Sequence, residues 1–330
     1  MFKRVFVEKR VLDSDQYHHI LKHIKKDKVE VIDKISDIWG RVKKPYLQKR
    51  GNLNLFIGKK DGTLIKEAPD AYGLGDEKHF YYVHAYNCIY ECQYCYLQGY
   101  FNSPDIVLYI NHDDILKKMT QTANEHPDCW FHAGEFSDSL ALSHYTGELE
   151  TYFEFFKNNP KTKLELRTKS VNTKELEKLT PLENVYLSFS LSSHKGGKLF
   201  DNKCPSIKAR IKAIKKMFDL GYNIGIHFDP VVYDKDFKED YQEVFDDLAK
   251  AIPLDKISYI SLGVVRYTKD VYREVQNNYP KSEISTGPYI KSFDNKVRYN
   301  KPMRNWILNT LKQMLITSGS RPSVIYLCME

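Results

Sequence analysis

The sequence predicts an α/β protein built on a parallel sheet curved into a partial (β/α)6 barrel. Three observations lead there. From residue 80 onward, short apolar runs with strand character alternate with segments whose apolar residues recur at helical spacing, and this happens six times. Nearly every run ends in polar residues, so chemistry-bearing side chains gather where parallel strands end. The first run leads into a loop with three cysteines, Cys88, Cys92 and Cys95, at C-x3-C-x2-C spacing.

Residues 1–75 hold no cysteine and read as a small N-terminal α/β cap. Within it, 4–7 and 53–57 look like short strands, 15–43 is charged and permits helix, and 58–75, rich in Gly, Lys and Asp, reads as a linker. The barrel is assigned to 76–268, with strands over 79–84, 129–132, 163–167, 185–190, 222–228 and 257–262. Its helices follow from their apolar stripes: Ile115, Leu116 and Met119 in 113–124, then Tyr152, Phe153 and Phe156 in 149–157. A short helix is expected over 173–179. Ile207, Ile211, Ile214 and Phe218 mark the next, closed by Gly221, and Val244, Phe245, Leu248 and Ile252 the last. Residues 269–330 form a C-terminal extension. It should hold a hairpin within 283–299, a helix over 306–316 and a final strand over 324–329.

Composition narrows the functional classes. Of 330 residues, 42% are hydrophobic and 28% charged, which describes a soluble globular chain without a bilayer-spanning run. The N-terminus lacks the apolar core of a signal peptide. Six cysteines, three of them in one tight loop, do not form a disulfide framework, so a reducing cytoplasm is expected. The formal charge of +7 permits contact with phosphates without requiring it.

The cysteine loop carries the chemistry. Thiolates are soft ligands for zinc or iron–sulfur clusters. Structural zinc normally takes four protein ligands, and only three are present here unless His84 or a distant cysteine completes the set. Three thiolates on a four-iron cluster leave one iron open. The other predicted strand ends contribute Glu135, Ser137 and Asp138; then Lys169; then Ser190 and His194; then His227 and Asp229; then Arg266.

The loop resembles that of the radical S-adenosylmethionine (SAM) enzymes. That resemblance implies a [4Fe–4S] cluster whose open iron holds SAM, a reductant protein such as flavodoxin or ferredoxin, and a 5′-deoxyadenosyl radical that takes a hydrogen atom from substrate. On zwitterionic SAM, Glu135 would meet the amino group and Lys169 the carboxylate. Nearly the whole chain further resembles the spore photoproduct lyase family. The resemblance lies in residues 5–10, 92–98, Arg167-Thr168-Lys169, Ser188-Phe189-Ser190, Gly221-Tyr222 and Phe228-Asp229-Pro230. It implies repair of a thymine-dimer photoproduct in DNA, SAM contacts at Ser137, Asp138, Lys169, Ser190 and Asp229, and hydrogen-relay roles for Tyr94 and Tyr96. One departure stands out. Those lyases carry their hydrogen-donating cysteine in an Ala-Ser-Cys-Thr-Ser-Asp run, and the matching stretch here, 133–138, has Glu135 at that place. Of the other thiols, Cys129 falls at the wrong end of its strand, Cys204 is expected at an exposed helix start, and Cys328 lies on a strand that would return to the barrel. Cys328 is either an active-site thiol or a buried structural one.

Overall fold

A computed structural model describes residues 2–44, 46, 52–69, 75 and 77–328. Residues 70–74 of the expected linker and Met329 of the expected last strand lie outside the described residues.

Seven parallel strands lie side by side in chain order: His79–Tyr82, Trp130–His132, Lys163–Thr168, Val185–Ser190, Asn223–Val231, Tyr259–Val264 and Ile325–Leu327. Ile65–Glu67 adds antiparallel beside the first. The sequence foresaw six of the seven. The seventh comes from the C-terminal extension and pairs Ile325, Tyr326 and Leu327 with Ile260, Ser261 and Leu262.

Helices His112–Glu125, Leu149–Asn158, Ile207–Asp219, Phe237–Ala251 and Lys301–Thr317 fall where apolar periodicity put them. Phe237–Ala251 starts earlier than its first marker because Phe237 and Tyr241 extend the same buried stripe. The expected helix at 173–179 is only a 3-10 turn, Leu176–Lys178, in a stretch that Pro181 cuts short. Two helices longer than a single turn were not foreseen. His194–Phe200 contains Gly196 and Gly197 and starts at Ser193, whose hydroxyl accepts from the Gly196 N–H. Lys269–Asn278 buries only Val271 and Val275, so its stripe is too narrow to read.

The N-terminal region is a second sheet, ordered Val29–Ile32, Val5–Glu8, Leu55–Gly58, Ile106–Tyr109, Ala85–Tyr86. Its last two strands come from beyond residue 75. The charged segment 15–43 yields the helix Asp15–Leu21 and then a strand, because Val29, Val31 and Ile32 favour extended backbone. In the C-terminal extension the expected hairpin, Tyr289–Lys291 with Lys296–Tyr299, takes Arg266–Thr268 as a third strand.

Side chains alternate across a strand, and the main sheet separates its two faces cleanly. Phe80, Phe131, Leu164, Leu166, Leu187, Phe189, Ile224, Ile226, Ile260 and Leu262 join the core under the helices. The opposite face carries Tyr81, His132, Glu165, Arg167, Ser188, Ser190, His227, Asp229, Tyr259 and Ser261. Its floor is one buried carboxylate. Glu165 accepts from Ser188 Oγ at 2.7 Å and Tyr259 OH at 2.5 Å, and bonds His227 Nε2 at 2.7 Å and His132 Nδ1. His79 Nδ1 meets His132 Nε2 at 2.8 Å. Burial opposes the Glu165 charge, but the His132 and His227 rings outweigh it and hold the carboxyl well below its usual range. Gly225 makes the stacking possible, because a Cβ there would meet the Tyr259 ring at 2.4 Å.

A second buried carboxyl sits among apolar neighbours. Burial raises Glu148, at the start of Leu149–Asn158, to about 8. The unfolded chain releases this proton near the usual carboxyl pKa of about 4.3, so between there and 8 folding must rebind it, and stability falls as pH rises across that window. Glu148→Gln should therefore raise the thermal midpoint at pH 8 and change it little near pH 4.5. A pH-independent difference in melting scans would contradict this.

Candidate functional site

The cysteine loop is held by protein contacts at both ends. Asn87 adopts a left-handed conformation (φ 62°), and its side-chain amide donates to the carbonyls of Ser103 and Asp105 at 2.7 and 2.8 Å. Glu91 and Cys92 pair antiparallel with Asn202 and Asp201, and Gln93 N–H donates to Phe200 O at 2.8 Å. Gln98, from the turn of helix after the loop, donates back to the carbonyls of Gln93 and Cys95, both at 2.9 Å. Cys88, Cys92 and Cys95 then pack in one cluster with Tyr90, Tyr94 and Ala141.

This donor set fits an iron–sulfur cluster. Three soft sulfurs lie on one loop whose backbone is already fixed, and two cations, Lys169 and Arg210, favour the Cys92 thiolate. Cys204 packs against the same residues: its sulfur lies 3.5 Å from that of Cys92 and lowers the Cys92 pKa. The expectation that Cys204 is exposed is therefore corrected. The strand pairing at 201–202 folds it back onto the loop. His84, weighed as a zinc ligand, instead bonds the Ala133 carbonyl at 3.0 Å, and burial lowers it to about 4.

Around the loop the strand ends converge. After the second strand, Tyr96 donates its hydroxyl to the Glu135 carbonyl. Burial raises the Glu135 carboxyl above its usual range, against the pull of Arg167. Ser137 is buried beside it. Asp138 has its lone pairs taken. Oδ1 accepts from Leu140 N, Ala141 N and Thr168 Oγ1 at 3.0, 2.9 and 2.6 Å, and Oδ2 from Lys169 N at 2.7 Å. It clamps the second strand end to the third. The Lys169 ammonium lies 5.5 Å from the Tyr94 ring centroid, and no carboxylate among the described residues forms an ion pair with it.

Tyr94 turns behind the loop. Its hydroxyl donates to Asp201, which pairs with Arg210 Nη2 at 2.7 Å, both side chains 1% exposed. Arg210 Nη1 also donates to the Ser190 carbonyl at 3.0 Å, tying that strand end to the same assembly.

On the far side, Asp229 forms a two-pronged pair with Arg266 at 2.9 and 3.0 Å, with Arg167 Nη2 4.0 Å away. Burial would raise the Asp229 carboxyl, but the two guanidiniums hold it far below its usual range. Gly263 leaves room for this pair, since a Cβ would meet Asp229 Oδ1 at 2.7 Å. Cys328, next after the seventh strand, lies 3.5 Å from Arg266 Nη2, and burial pushes its thiol up to about 12. Tyr81, on the first strand, is buried, which raises its hydroxyl pKa, and it also feels the charges of Glu135, Arg167 and Cys328.

The structure thus brings Glu135, Ser137, Asp138, Lys169, Ser190, Asp229 and Cys328 to one rim with the three cysteines. His194 turns away to Asp247 on helix Phe237–Ala251 at 3.0 Å. His227 goes to the floor. Cys129 is in the core, 1% exposed. Sequence reasoning gave no role to Tyr81, Asp201 and Arg210. Arg210 did leave a signal, a cation three residues from Ile207 on an apolar stripe, and Tyr81 falls on the polar alternation of its strand.

A family model described as spore photoproduct lyase matches residues 2–302. The spore photoproduct lyase of Clostridium acetobutylicum is 22% identical over 299 residues, covering 89% of this chain and 87% of that protein. The Bacillus subtilis lyase is 30% identical over 207 residues, 61% of this chain and 60% of that one. A solved spore photoproduct lyase mutant with dinucleoside spore photoproduct superposes with a TM-score of 0.85 at 21% identity, over 99% of this chain and 98% of that one. A related mutant structure, with bound AdoMet and the dinucleoside, gives 0.83 at 21% identity and the same coverage.

Asp138→Ala would leave three backbone N–H groups and the Thr168 hydroxyl without their acceptor. A loss of about 2–4 kcal/mol in urea unfolding is expected, with the slope unchanged. A loss below about 0.5 kcal/mol would remove Asp138 from its clamping role.

Proposed function

The chain belongs to the spore photoproduct lyase family, a family of radical SAM enzymes, and from that premise we propose that it acts on a thymine-dimer photoproduct of DNA at the rim described above. The observation that carries this is the three-thiol loop at the mouth of a polar sheet face to which the other strand ends deliver cations, carboxylates and a protonated thiol. When bound, the [4Fe–4S] cluster and SAM together supply a 5′-deoxyadenosyl radical that takes hydrogen from the substrate. Cys88, Cys92 and Cys95 would hold the cluster.

The chain's own residues do the rest. Lys169, a cation without an ion-pair partner among the described residues, suits the SAM carboxylate. Glu135 suits the amino group, and a cation there would favour its ionised form against burial. Ser137 and Ser190 suit the ribose or methionine part. Asp138 acts by holding the Lys169 backbone, and Asp229 by fixing Arg266. Cys328 keeps its S–H at working pH. It is our choice for the thiol that gives a hydrogen atom to the lesion, with Tyr96 and Tyr81 as O–H donors that refill it and are themselves restored by the hydrogen atom first taken from the lesion, returned from 5′-deoxyadenosine. The Tyr94 hydroxyl is committed to Asp201, so we give it the support of the loop in place of the relay foreseen for it.

The sheet is read as a partial (β/α)6 barrel over 76–268 with a seventh strand lent by the extension 269–330. The cap 1–75 is completed by strands Ala85–Tyr86 and Ile106–Tyr109. The cap packs Phe56, Val107 and Tyr109 around Tyr81 and Phe136, which helps keep water from the mouth. The charge of +7 favours a phosphate-bearing substrate. The reductant is assigned to a flavodoxin- or ferredoxin-type protein and the setting to the cytoplasm, where six cysteines outside any disulfide persist. No helix among the described residues is long and apolar enough to cross a membrane.

Glu135, standing where the family's donor cysteine stands, favours a second reading: the same radical initiation on a different substrate. Incubation with dinucleoside spore photoproduct separates the two. Repair through Cys328 predicts thymine recovery that falls at least tenfold in Cys328→Ala and is restored or raised in Glu135→Cys. Equal turnover in wild type and Cys328→Ala would take the donor role from Cys328, and no turnover in wild type would favour the other substrate. Independently, Cys92→Ala should lose the iron and acid-labile sulfide of anaerobically reconstituted protein and all reductive SAM cleavage. Retained 5′-deoxyadenosine formation in that variant would remove Cys92 from the ligand set.

A further inference from the structure

Cys204 is held against the cysteine loop by the same pairing that braces that loop. The short antiparallel pairing sets Asp201 opposite Cys92 and Asn202 opposite Glu91. Lys203 then takes the left-handed conformation (φ 61°), which residues with a side chain rarely adopt, and turns the chain back toward the loop. Its ammonium pairs at 2.6 Å with Glu91, a carboxylate only 2% exposed, which holds that turn in place. Cys204 N–H closes the turn on the Asp201 carbonyl at 3.1 Å, and Pro205 follows. Its sulfur is thereby fixed 3.5 Å from that of Cys92, within hydrogen-bond distance for sulfur. The Asp201 carboxylate stands with both sulfurs, the three ligand-type atoms lying within 4.8 Å of one another.

We propose that Cys204 is a built-in hydrogen-bond donor to the Cys92 sulfur and thereby sets the reduction potential of the cluster. This rests on the cluster reading given above and goes beyond it, since Cys204 lies outside the three-cysteine motif. A sulfur bound to iron has no proton to give, so in this pair only Cys204 can donate. Hydrogen bonds to cluster sulfurs are among the chief determinants of potential, because they stabilise the extra negative charge of the reduced state. Cys204 acts through Cys92, so it is a positioning and tuning residue, and it touches neither SAM nor substrate.

The test compares wild type, Cys204→Ala and Cys204→Ser after anaerobic reconstitution, by iron and sulfide content and by EPR-monitored redox titration. Equal cluster content is expected in all three. The midpoint should move to more negative potential in Cys204→Ala and return toward wild type in Cys204→Ser, whose hydroxyl still donates. An exchangeable deuteron coupled to the reduced cluster in D2O should be seen by ENDOR in wild type and lost in Cys204→Ala. A full cluster with unchanged midpoint and unchanged coupling overturns the inference. Loss of iron in Cys204→Ala also overturns it, by making Cys204 a ligand. Wild type that takes up only a mononuclear ion overturns the cluster reading and this inference with it, whereas the first two outcomes leave the cluster reading standing.

Discussion

The buried Glu165 carboxylate is the interaction on which the site's geometry rests. Through its two oxygens it joins the second, fourth, fifth and sixth parallel strands, by way of His132, Ser188, His227 and Tyr259. Such a group is costly to bury and persists only when nearly every lone pair is used. The residues at the rim stand two positions further along the same strands on the same face: Arg167 above Glu165, Ser190 above Ser188, Asp229 above His227. Because side chains repeat every second residue, fixing the register of the floor fixes the height and spacing of the rim.

A second constraint acts from the side. Protein contacts brace the cysteine loop. Segment 200–204 is paired to it by backbone bonds, and Asp201 with Arg210 and Tyr94 forms a dry assembly behind Cys92. A loop organised in advance loses less entropy when it takes up a cofactor.

Charge is divided across the rim in a way that suits a zwitterionic cofactor next to an anionic substrate. Lys169 has no carboxylate partner among the described residues, and burial raises the Glu135 carboxyl above its usual range against the pull of Arg167. On the far side, Asp229 is fully engaged with Arg266, so the Arg266–Cys328 corner keeps a cation beside a thiol that stays protonated. A protonated thiol can give up a hydrogen atom where a thiolate cannot. In the reaction proposed above, that difference is what suits Cys328 to the donor role.

Much of this was legible in the chain. The Cys88–Cys92–Cys95 spacing, the six strand–helix alternations and the polar strand ends depend on neighbours close in sequence, so periodicity and spacing record them directly. The amphipathic helices were readable for the same reason, and helix Lys269–Asn278 escaped because only two of its side chains are buried. What local pattern does not hold is which distant residues meet. That the last strand would bring Cys328 against Arg266, that the turn at Lys203 would lay Cys204 on Cys92, and that Asp138 would spend its carboxylate on the backbone of 140, 141 and 169 follow from long-range pairing and packing. Sequence alone thus determined the chemistry available, three sulfurs and a ring of polar strand ends. Tertiary structure decided the assignment of roles, because a side chain's protonation, its hydrogen-bond partners and its reach are set by residues up to a hundred or more positions away.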